Sequence, residues 1–586
     1  MAQAEKCIIE IGSDRLGSFS SLIIEQFVGR PDTFELVCWR NALIPASQID
    51  SESLSSLYTK VGSGITFQIQ NIQAGTSSKN LFFKGIITEI VSIRSEGSAE
   101  GITIKGFSPE ILLKDIPKRR SFENKTLKQI AEEVLRPYPV DVVSLSSDIQ
   151  PRDNNEYPYI VQYDESNYDF LVRLAHTFAE WFYYNGRNLV FGTPSDERIE
   201  LDHGGNLQQV EVDASISPVK FQTRYYDYLQ DRDMEADSGS SDISSYLTNQ
   251  ANTLFSASGS KYPDPGLLNY RNSYALQPDP IDSFFKLSKQ KAAFNLYLAG
   301  GTGSEPLMIG NDIQIHARSR SESNKDDLGE FLVYSAKHTL KQDLTYTNEF
   351  SSFPKQLQIG ATDAPHDRKK PYPERGVVTD NNDPDQLGRV RIRLDWQDNS
   401  QMTPWARVLS LHSGDSRGSY FIPETGDEVL VDYEDGDPQR PVILGSFYNK
   451  SHAPEDSWVT SNNDIKKIRT RSGHTIEFND SSGSENLIIY NGSGSSPDSN
   501  DNKIVLSLNP DKITIESQGD IEIKGNNIKL DAQGNLDLHA ATGLTAKADA
   551  GSVSVEGTQV TVKGDATAEI SSSGSTTVKG SIVQIN

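Results

Sequence analysis

Cysteine is nearly absent: Cys7 and Cys38 are the two in 586 residues, too few for a disulfide framework or a thiolate metal cluster. Each sits in a strand-like run, "CIIEI" and "ELVCWR", where a buried reduced thiol is expected. No apolar stretch reaches the length of a membrane span, and "MAQAEKCIIEIGSDRLG" has no basic region followed by an apolar run. The expectation is a chain made in the cytoplasm, with no signal peptide and no transmembrane segment. Basic residues are also short, 56 Lys and Arg against 81 Asp and Glu, and the formal charge of −25 repels phosphate backbones. No nucleic acid is therefore expected as a partner. The nine histidines are scattered singly, with no His-Glu-x-x-His, and no glycine-rich phosphate loop follows a strand. No catalytic residue, cofactor site or metal site is expected, and the chain is read as not an enzyme.

What is present is strand. Hydrophobic residues at 36% and a mean hydropathy of −0.51 suit a soluble chain with ample core, and its length calls for several domains. Residues 1–370 alternate strand-like runs such as "LIIEQF", "TFELVCW" and "LFFKGIITEIVSI" with a few helices, and predict two interleaved β-rich units. Helices are expected near 126–136, 166–180 and 283–298. Thr126 and Gln129 form a capping box for the first, and Phe170, Leu174 and Phe178 give the second a core-facing stripe. A strand pair, "WFYYNGRNLVFG", should turn at Asn185-Gly186. The Ser/Asp/Gly-rich passage Asp237–Tyr246 reads as a surface loop, and four prolines between 354 and 373 mark a boundary. Residues 371–450 are short strands with Gly and Pro turns, the pattern of a small closed barrel. Residues 451–511 are connecting strands and a loop.

From 512 to 586 the chain repeats. The apolar pairs Ile513/Ile515, Ile521/Ile523, Ile528/Leu530, Leu536/Leu538, Leu544/Ala546, Val553/Val555, Val560/Val562, Ala568/Ile570, Thr576/Val578 and Ile582/Ile585 start 8, 7, 8, 8, 9, 7, 8, 8 and 6 residues apart. Polar residues between them give each unit one dry and one wet face. Glycines 519, 525, 534, 543, 551, 557, 564, 574 and 580 fall at the turns, where a positive φ is expected. One unit buries two side chains and makes no core alone. Either one chain winds three units per turn into a solenoid, or three chains each supply one side of every layer. The second arrangement leaves no lateral edge open. Ten units would then build a rod roughly 50 Å long at about 5 Å per unit.

The barrel segment carries a resemblance. "NNDPDQLGRVRIRLDW", "PWARV", "FIPETGDEVLVDYEDGDPQRPVILGSFYN" and "RSGHTIEFND" stand in an order that resembles the valine-glycine repeat protein G (VgrG) family, the spikes of contractile injection systems. "FFKGIITEI" and "VQYDESNYDFLVRLAHTFAEWFYYNGRNLVFG" are similar to the hub half of those spikes. The resemblance implies a mainly β homotrimer. Its parts would be an N-terminal hub of two β-barrel-like domains, an oligonucleotide/oligosaccharide-binding (OB) fold neck and a C-terminal intertwined triple-stranded β-helix. The β-helix core would comprise Ile513, Ile515, Ile521, Ile523, Ile528, Leu530, Leu536, Leu538, Val553, Val555, Val560, Val562, Ile570 and Val578. The tip would be Ile582, Val583, Ile585 and Asn586. Implied partners are inner-tube or hub-adaptor proteins, other baseplate proteins, effector cargo and a PAAR-like cap on the tip. Such a spike caps the inner tube, punctures a target envelope as the sheath contracts and ends outside the cell. Two features depart from the family. "LSLHSGDSRGS" lacks the tryptophan-rich glycine turn of type VI members, and the stretch between Asn449 and the repeat is too short for the lysozyme domain of phage relatives.

Other chemistries fit less well. Asp427, Glu428, Asp432, Glu434, Asp435 and Asp437 make the barrel acidic, unsuited to single-stranded nucleic acid, and Asp435-Gly436-Asp437-Pro438 reads as a turn, not a glycosidase pair. His474 at a strand start reads as a packing or turn residue. A trimeric tail fibre or adhesin would want a terminal knob, and a β-helical polysaccharide-degrading enzyme would want acid and base residues clustered along one groove.

Overall fold

The computed structural model describes residues 2–39, 42, 58–74, 77–93, 101–138, 148–194, 198–237, 242–267, 280–318, 325–360, 369–492, 494, 497–498 and 501–585. They form two compact units, Met1–Ala453 and Pro454–Asn586. Among the described residues no helix is long and apolar enough to cross a membrane.

Alternating β-branched and aromatic residues in the first 107 positions build eight strands of a 14-stranded sheet, and residues 198–354 supply the other six. The halves join where Ser21–Phe27 pairs antiparallel with Ser335 to Lys341. Ala2–Gln3 crosses over to pair with Thr345 and Tyr346. One core gathers around Phe34, Phe67 and Phe83, the other around Trp181, Phe331 and Phe353. A smaller body between them carries the ladder of Lys118–Thr126 with Glu156–Glu165, two helices and the hairpin of Trp181–Tyr184 with Leu189–Gly192.

The first helix is Leu127–Leu135, with the Thr126–Gln129 capping box in place. The second is Asn167–Phe178; Phe170 and Leu174 are buried and Phe178 packs beside them, so the stripe is core. The third helix, Pro280–Ala293, starts and stops earlier than the sequence suggests. After a 3-10 turn the chain enters strand Tyr297–Gly303, which ladders with neighbours on both sides. Gly300 and Gly301 permit this, since a Cβ would lie 2.8 Å from the Phe350 oxygen and 2.2 Å from the Gln209 oxygen. A fourth helix, Asn249–Lys261, has no clear signal in its polar, Ser- and Gly-containing sequence; Thr248 caps it and Leu254 and Phe255 lean on the core. The expected Asn185-Gly186 turn is a four-residue loop in which Asn185 Oδ1 accepts from the amides of Arg187 and Asn188. Of the loop Asp237–Tyr246, residues 238–241 lie outside the described residues and Ser244–Tyr246 is a 3-10 turn.

Residues 374–447 form a five-strand barrel in the order Arg391–Leu394, Glu374–Asp380, Glu428–Tyr433, Pro441–Phe447, Arg407–Val408. Reciprocal backbone bonds between Val390 and Ala406, of 3.0 and 2.8 Å, close it. Val378, Ile392, Val429, Val431 and Ile443 fill the interior. The barrel seats on the Glu156–Glu165 ladder: Gln397 Nε2 donates to Ser121 Oγ and Tyr159 OH, and Trp396 packs with Tyr159, Val161 and Tyr163.

Two thiols and two buried carboxyls in or near the 14-stranded sheet have chemical consequences. Burial pushes the Cys7 and Cys38 thiols up to about 12, so neither is a nucleophile at neutral pH. Asp32 and Glu110 are buried where the sheet meets the smaller body, with Glu110 in the field of the Asp32 charge. Burial pushes Asp32 up to about 8, against hydrogen bonds from Gln26 Nε2 and the Phe27 amide; burial and the Asp32 charge raise Glu110 well above the carboxylate range. An acid raised in the fold keeps its proton after the unfolded chain has lost it. The stability that this pair allows is whole below about pH 4 and drains as pH climbs towards 8. Asp32→Asn should therefore melt higher than wild type at pH 8 and show a flatter dependence of melting temperature between pH 5 and 8. Calorimetry on both proteins checks this; parallel curves would refute it.

Candidate functional site

The repeat is where the structure departs most from a self-contained fold. Ile513 and Ile515 lie in strand Asp511–Glu516, paired with Asn502–Leu508. Beyond Glu516 no strand pairing joins one unit to another among the described residues, which removes the single-chain solenoid: its turns would pair within the chain. Bends begin at 518, 526, 533, 541, 549, 558, 565, 573 and 581, spaced 8, 7, 8, 8, 9, 7, 8 and 8 residues, in step with the apolar pairs. The last bend takes in Ile582, leaving Val583 and Ile585 as the alternating pair. The two faces separate cleanly. Lys529 pairs with Asp531 at 3.0 Å across Leu530, Lys547 with Asp549 at 2.5 Å, and Glu522 with Lys524 across Ile523. On the other face every predicted core and tip residue from Ile513 to Ile585 is 50–92% exposed within one chain, and Asn586 lies outside the described residues. Isolated soluble chains do not leave a continuous aliphatic strip of this length in water.

The glycines act differently from the expectation. Of those assigned to the turns only Gly551 has a positive φ, 146°. The corners are open bends, and at some of them glycine serves by lacking a Cβ: at Gly564 one would lie 2.2 Å from the Thr567 oxygen.

The acidic residues of the barrel are structural. Asp427 accepts from the Glu424 amide, Glu428 from Arg375 and Asn449, Asp432 from the Tyr433 amide and Asp437 from the Gln439 amide. Glu434 is gripped by Arg407 and Arg440, and Asp435 takes the left-handed conformation, φ 55°, of a tight turn. His474 is exposed and opens strand His474–Asn479. Unforeseen is the clamp within "NNDPDQLGR". The Asp383 carboxylate accepts from the amides of Asp385, Leu387 and Arg389 and from the Arg389 guanidinium at 2.6 and 2.9 Å, with both side chains buried. Arg389 foremost, then these amides, holds the carboxyl well below the usual range. An acid beside an arginine six residues on, flanking a turn, is its only sequence signal. Among the described residues no His, Cys, Asp and Glu cluster could hold a metal.

Residues 49–344 match the model of the phage tail baseplate hub (GPD) family, and residues 374–448 match the type VI secretion system/phage-baseplate injector OB domain. The first match takes in half of the chain and sets its class, that of tail baseplate hubs. The chain is 27% identical over 446 residues to type VI secretion system spike protein VgrG1b of Pseudomonas aeruginosa, covering 68% of this chain and 58% of that protein. It is 24% identical over 452 residues to VgrG1a of the same organism, covering 70% and 67%. It shares a fold with the Francisella PdpA-VgrG complex, lidded, at a TM-score of 0.56 and 10% identity over 88% of this chain and 80% of that one. The chain belongs to the VgrG spike family. It spans 58% of the length of VgrG1b.

Because the clamp is a buried ion pair that also satisfies three amides, Asp383→Ala should cost the barrel about 3–5 kcal/mol. Asp385→Ala, at the exposed end of the same cluster, should cost under about 1 kcal/mol. Thermal melts followed by barrel tryptophan fluorescence separate the two; equal losses would show that Asp383 is no clamp.

Proposed function

We propose that this chain is the central hub and spike of a contractile injection machine of the type VI secretion kind, working as a homotrimer. The observation that carries the reading is the aliphatic strip of the repeat, periodic, two-faced and uncovered within one chain. Three copies, each giving one strand to every layer, would turn those strips inward and their ion-paired faces outward, building an intertwined β-helix. Bending such a rod breaks ladder hydrogen bonds on all sides together, which suits a puncturing element.

In this reading residues 1–370 form the hub on the inner tube and its adaptor or baseplate proteins. Residues 371–450 are the neck, 451–511 the connection and 512–586 the point. The point's core is the set of aliphatic residues from Ile513 to Val578, and Ile582, Val583, Ile585 and Asn586 receive a PAAR-like cap. Effector cargo travels with the particle, which is assembled in the cytoplasm and driven outward. The role is mechanical and not enzymatic: the barrel carboxylates are engaged in turns and ion pairs, and charges of the outer repeat face pair with each other.

Light scattering on the full chain should give about three times 64.8 kDa, and truncation before Lys512 should weaken or abolish the association. A monomeric full chain at every concentration would overturn the reading. The purified protein should also leave polysaccharides intact, and glycan turnover that survives purification would count against a purely mechanical role.

A further inference from the structure

The connecting strands ahead of the repeat carry more than a connection. Ile465–Arg469, His474–Asn479, Asn486–Asn491, Asn502–Leu508 and Asp511–Glu516 form a five-stranded antiparallel meander. Its register aligns Ile468, Ile476, Ile489, Ile504 and Ile515, one from each strand, in a single row across the sheet. The next row on the same face runs Lys466, Phe478, Leu487, Leu506, Ile513, with the lysine at its outer end. The isoleucine row is 37–59% exposed, and within the second row Phe478 and Ile513 reach 45% and 70%.

The opposite face is the covered one, and it buries mostly polar side chains around Ile488. Thr475, Glu477 and Tyr490 are buried there, and Lys467 pairs with Glu477 at 2.8 Å with side chains 2% and 8% exposed. Trp458 lies against the Lys467 ammonium and Glu455 against Arg469 at 3.0 Å, so the segment before the first strand roofs this side. A half-buried sheet normally turns its apolar side inward. Here a charged pair is desolvated, at a cost, while the aliphatic rows stay in water. The arrangement makes sense if the aliphatic face is the one that ends up driest.

We propose that this sheet is the trimer-nucleating and register-setting surface of the spike, its aliphatic face packing against the same face of two further copies of this chain. The inference rests on the trimer reading above. Two features name the occupant. Ile513 and Ile515 belong both to these rows and to the first repeat unit, so the strip is continuous and whatever covers the repeat runs on over the meander. Apart from Lys466 at the end of the second row, which is already paired with Asp480 at 2.5 Å, the rows carry no charge for a partner of different chemistry to answer, and rows of like aliphatic side chains interdigitate with their own copies.

The sheet also does what the repeat cannot. Near-identical units can pair one unit out of step at little cost, because each shift re-forms most of the contacts. The meander is not repetitive: its rows mix one phenylalanine and two leucines among isoleucines, and its strands are local and quick to pair. Three meanders meeting in one alignment fix the starting level of each chain, and the units beyond it wind in register.

Hydroxyl-radical footprinting of the wild-type full chain tests this together with a full-length Ile476→Lys/Ile489→Lys variant. Phe478, Leu487 and Leu506 should be oxidised at least tenfold more slowly in the assembled protein than in the unfolded chain. The variant's trimer should dissociate at concentrations at least a hundredfold higher than wild type, seen as a fall in scattering mass on dilution. A wild-type trimer whose Phe478, Leu487 and Leu506 react as fast as in the unfolded chain overturns the nucleating surface and leaves the trimer reading standing. A wild-type chain that is monomeric throughout sinks both. If the variant fails to fold, the wild-type footprint decides alone.

Discussion

An eight-residue unit with one dry face can offer two side chains to a core, and no rearrangement of a single strand lets it cover them. Everything in the C-terminal unit follows from that limit. Among the described residues the extended pieces between bends form no strand pairing with one another, the aliphatic strip stays in water, and in four units neighbouring charges pair on the strip's back. The N-terminal unit obeys the opposite rule. Its two cores are closed by its own strands, its barrel is sealed by the Val390–Ala406 bonds, and even the first residues are tied in by pairing with Thr345 and Tyr346.

Charge is distributed to match. Six lysines face nine carboxylates in residues 512–586, so the repeat holds −3 of the chain's −25. Bringing three copies into contact along the point therefore meets little repulsion, and in four units a lysine lies beside a carboxylate of its own strand, so the two signs stay interspersed. The acid load sits in the hub and neck, where some of it is structural. Asp383 organises a turn because Arg389 is buried with it, whereas Asp32 and Glu110 share a site in which burial, and for Glu110 the Asp32 charge as well, keeps protons on. Two buried arrangements of the same side-chain chemistry thus respond in opposite directions to pH, and the difference is the presence of a buried guanidinium.

Much of this was legible in the sequence because it rests on short-range periodicity. The apolar pairs of the repeat anticipate the spacing of the bends, Thr126 and Gln129 anticipate a capping box, and Asp435-Gly436-Asp437-Pro438 anticipates a tight turn. What escaped depends on partners far away in the chain. The helix at 249–261 presents few apolar side chains and is held by Thr248 and by contact with a core that no local pattern displays. The third helix ends at Ala293 because two distant strands claim Tyr297–Gly303. The Asp32–Glu110 pair brings together residues 78 positions apart, and the meander's inversion becomes visible only when its register aligns residues from five strands. The glycines of the repeat were placed correctly and explained wrongly: some of their corners need the absence of a Cβ more than a positive φ.

The pairing of a monotonous segment with an irregular one resolves a conflict inside the point. Stiffness along a rod calls for identical layers, since any weak layer is where it bends, yet identical layers give no information about alignment. Variation within the repeat would supply alignment at the expense of uniformity. Separating the tasks avoids the compromise: a non-repeating sheet sets the level once, and the repeat carries that level forward through bends that keep step at seven to nine residues. The spread in those spacings is tolerable for the same reason. With the level set at the base, three identical chains meet each long or short unit at the same height, so an irregular step is matched by its copies instead of displacing them.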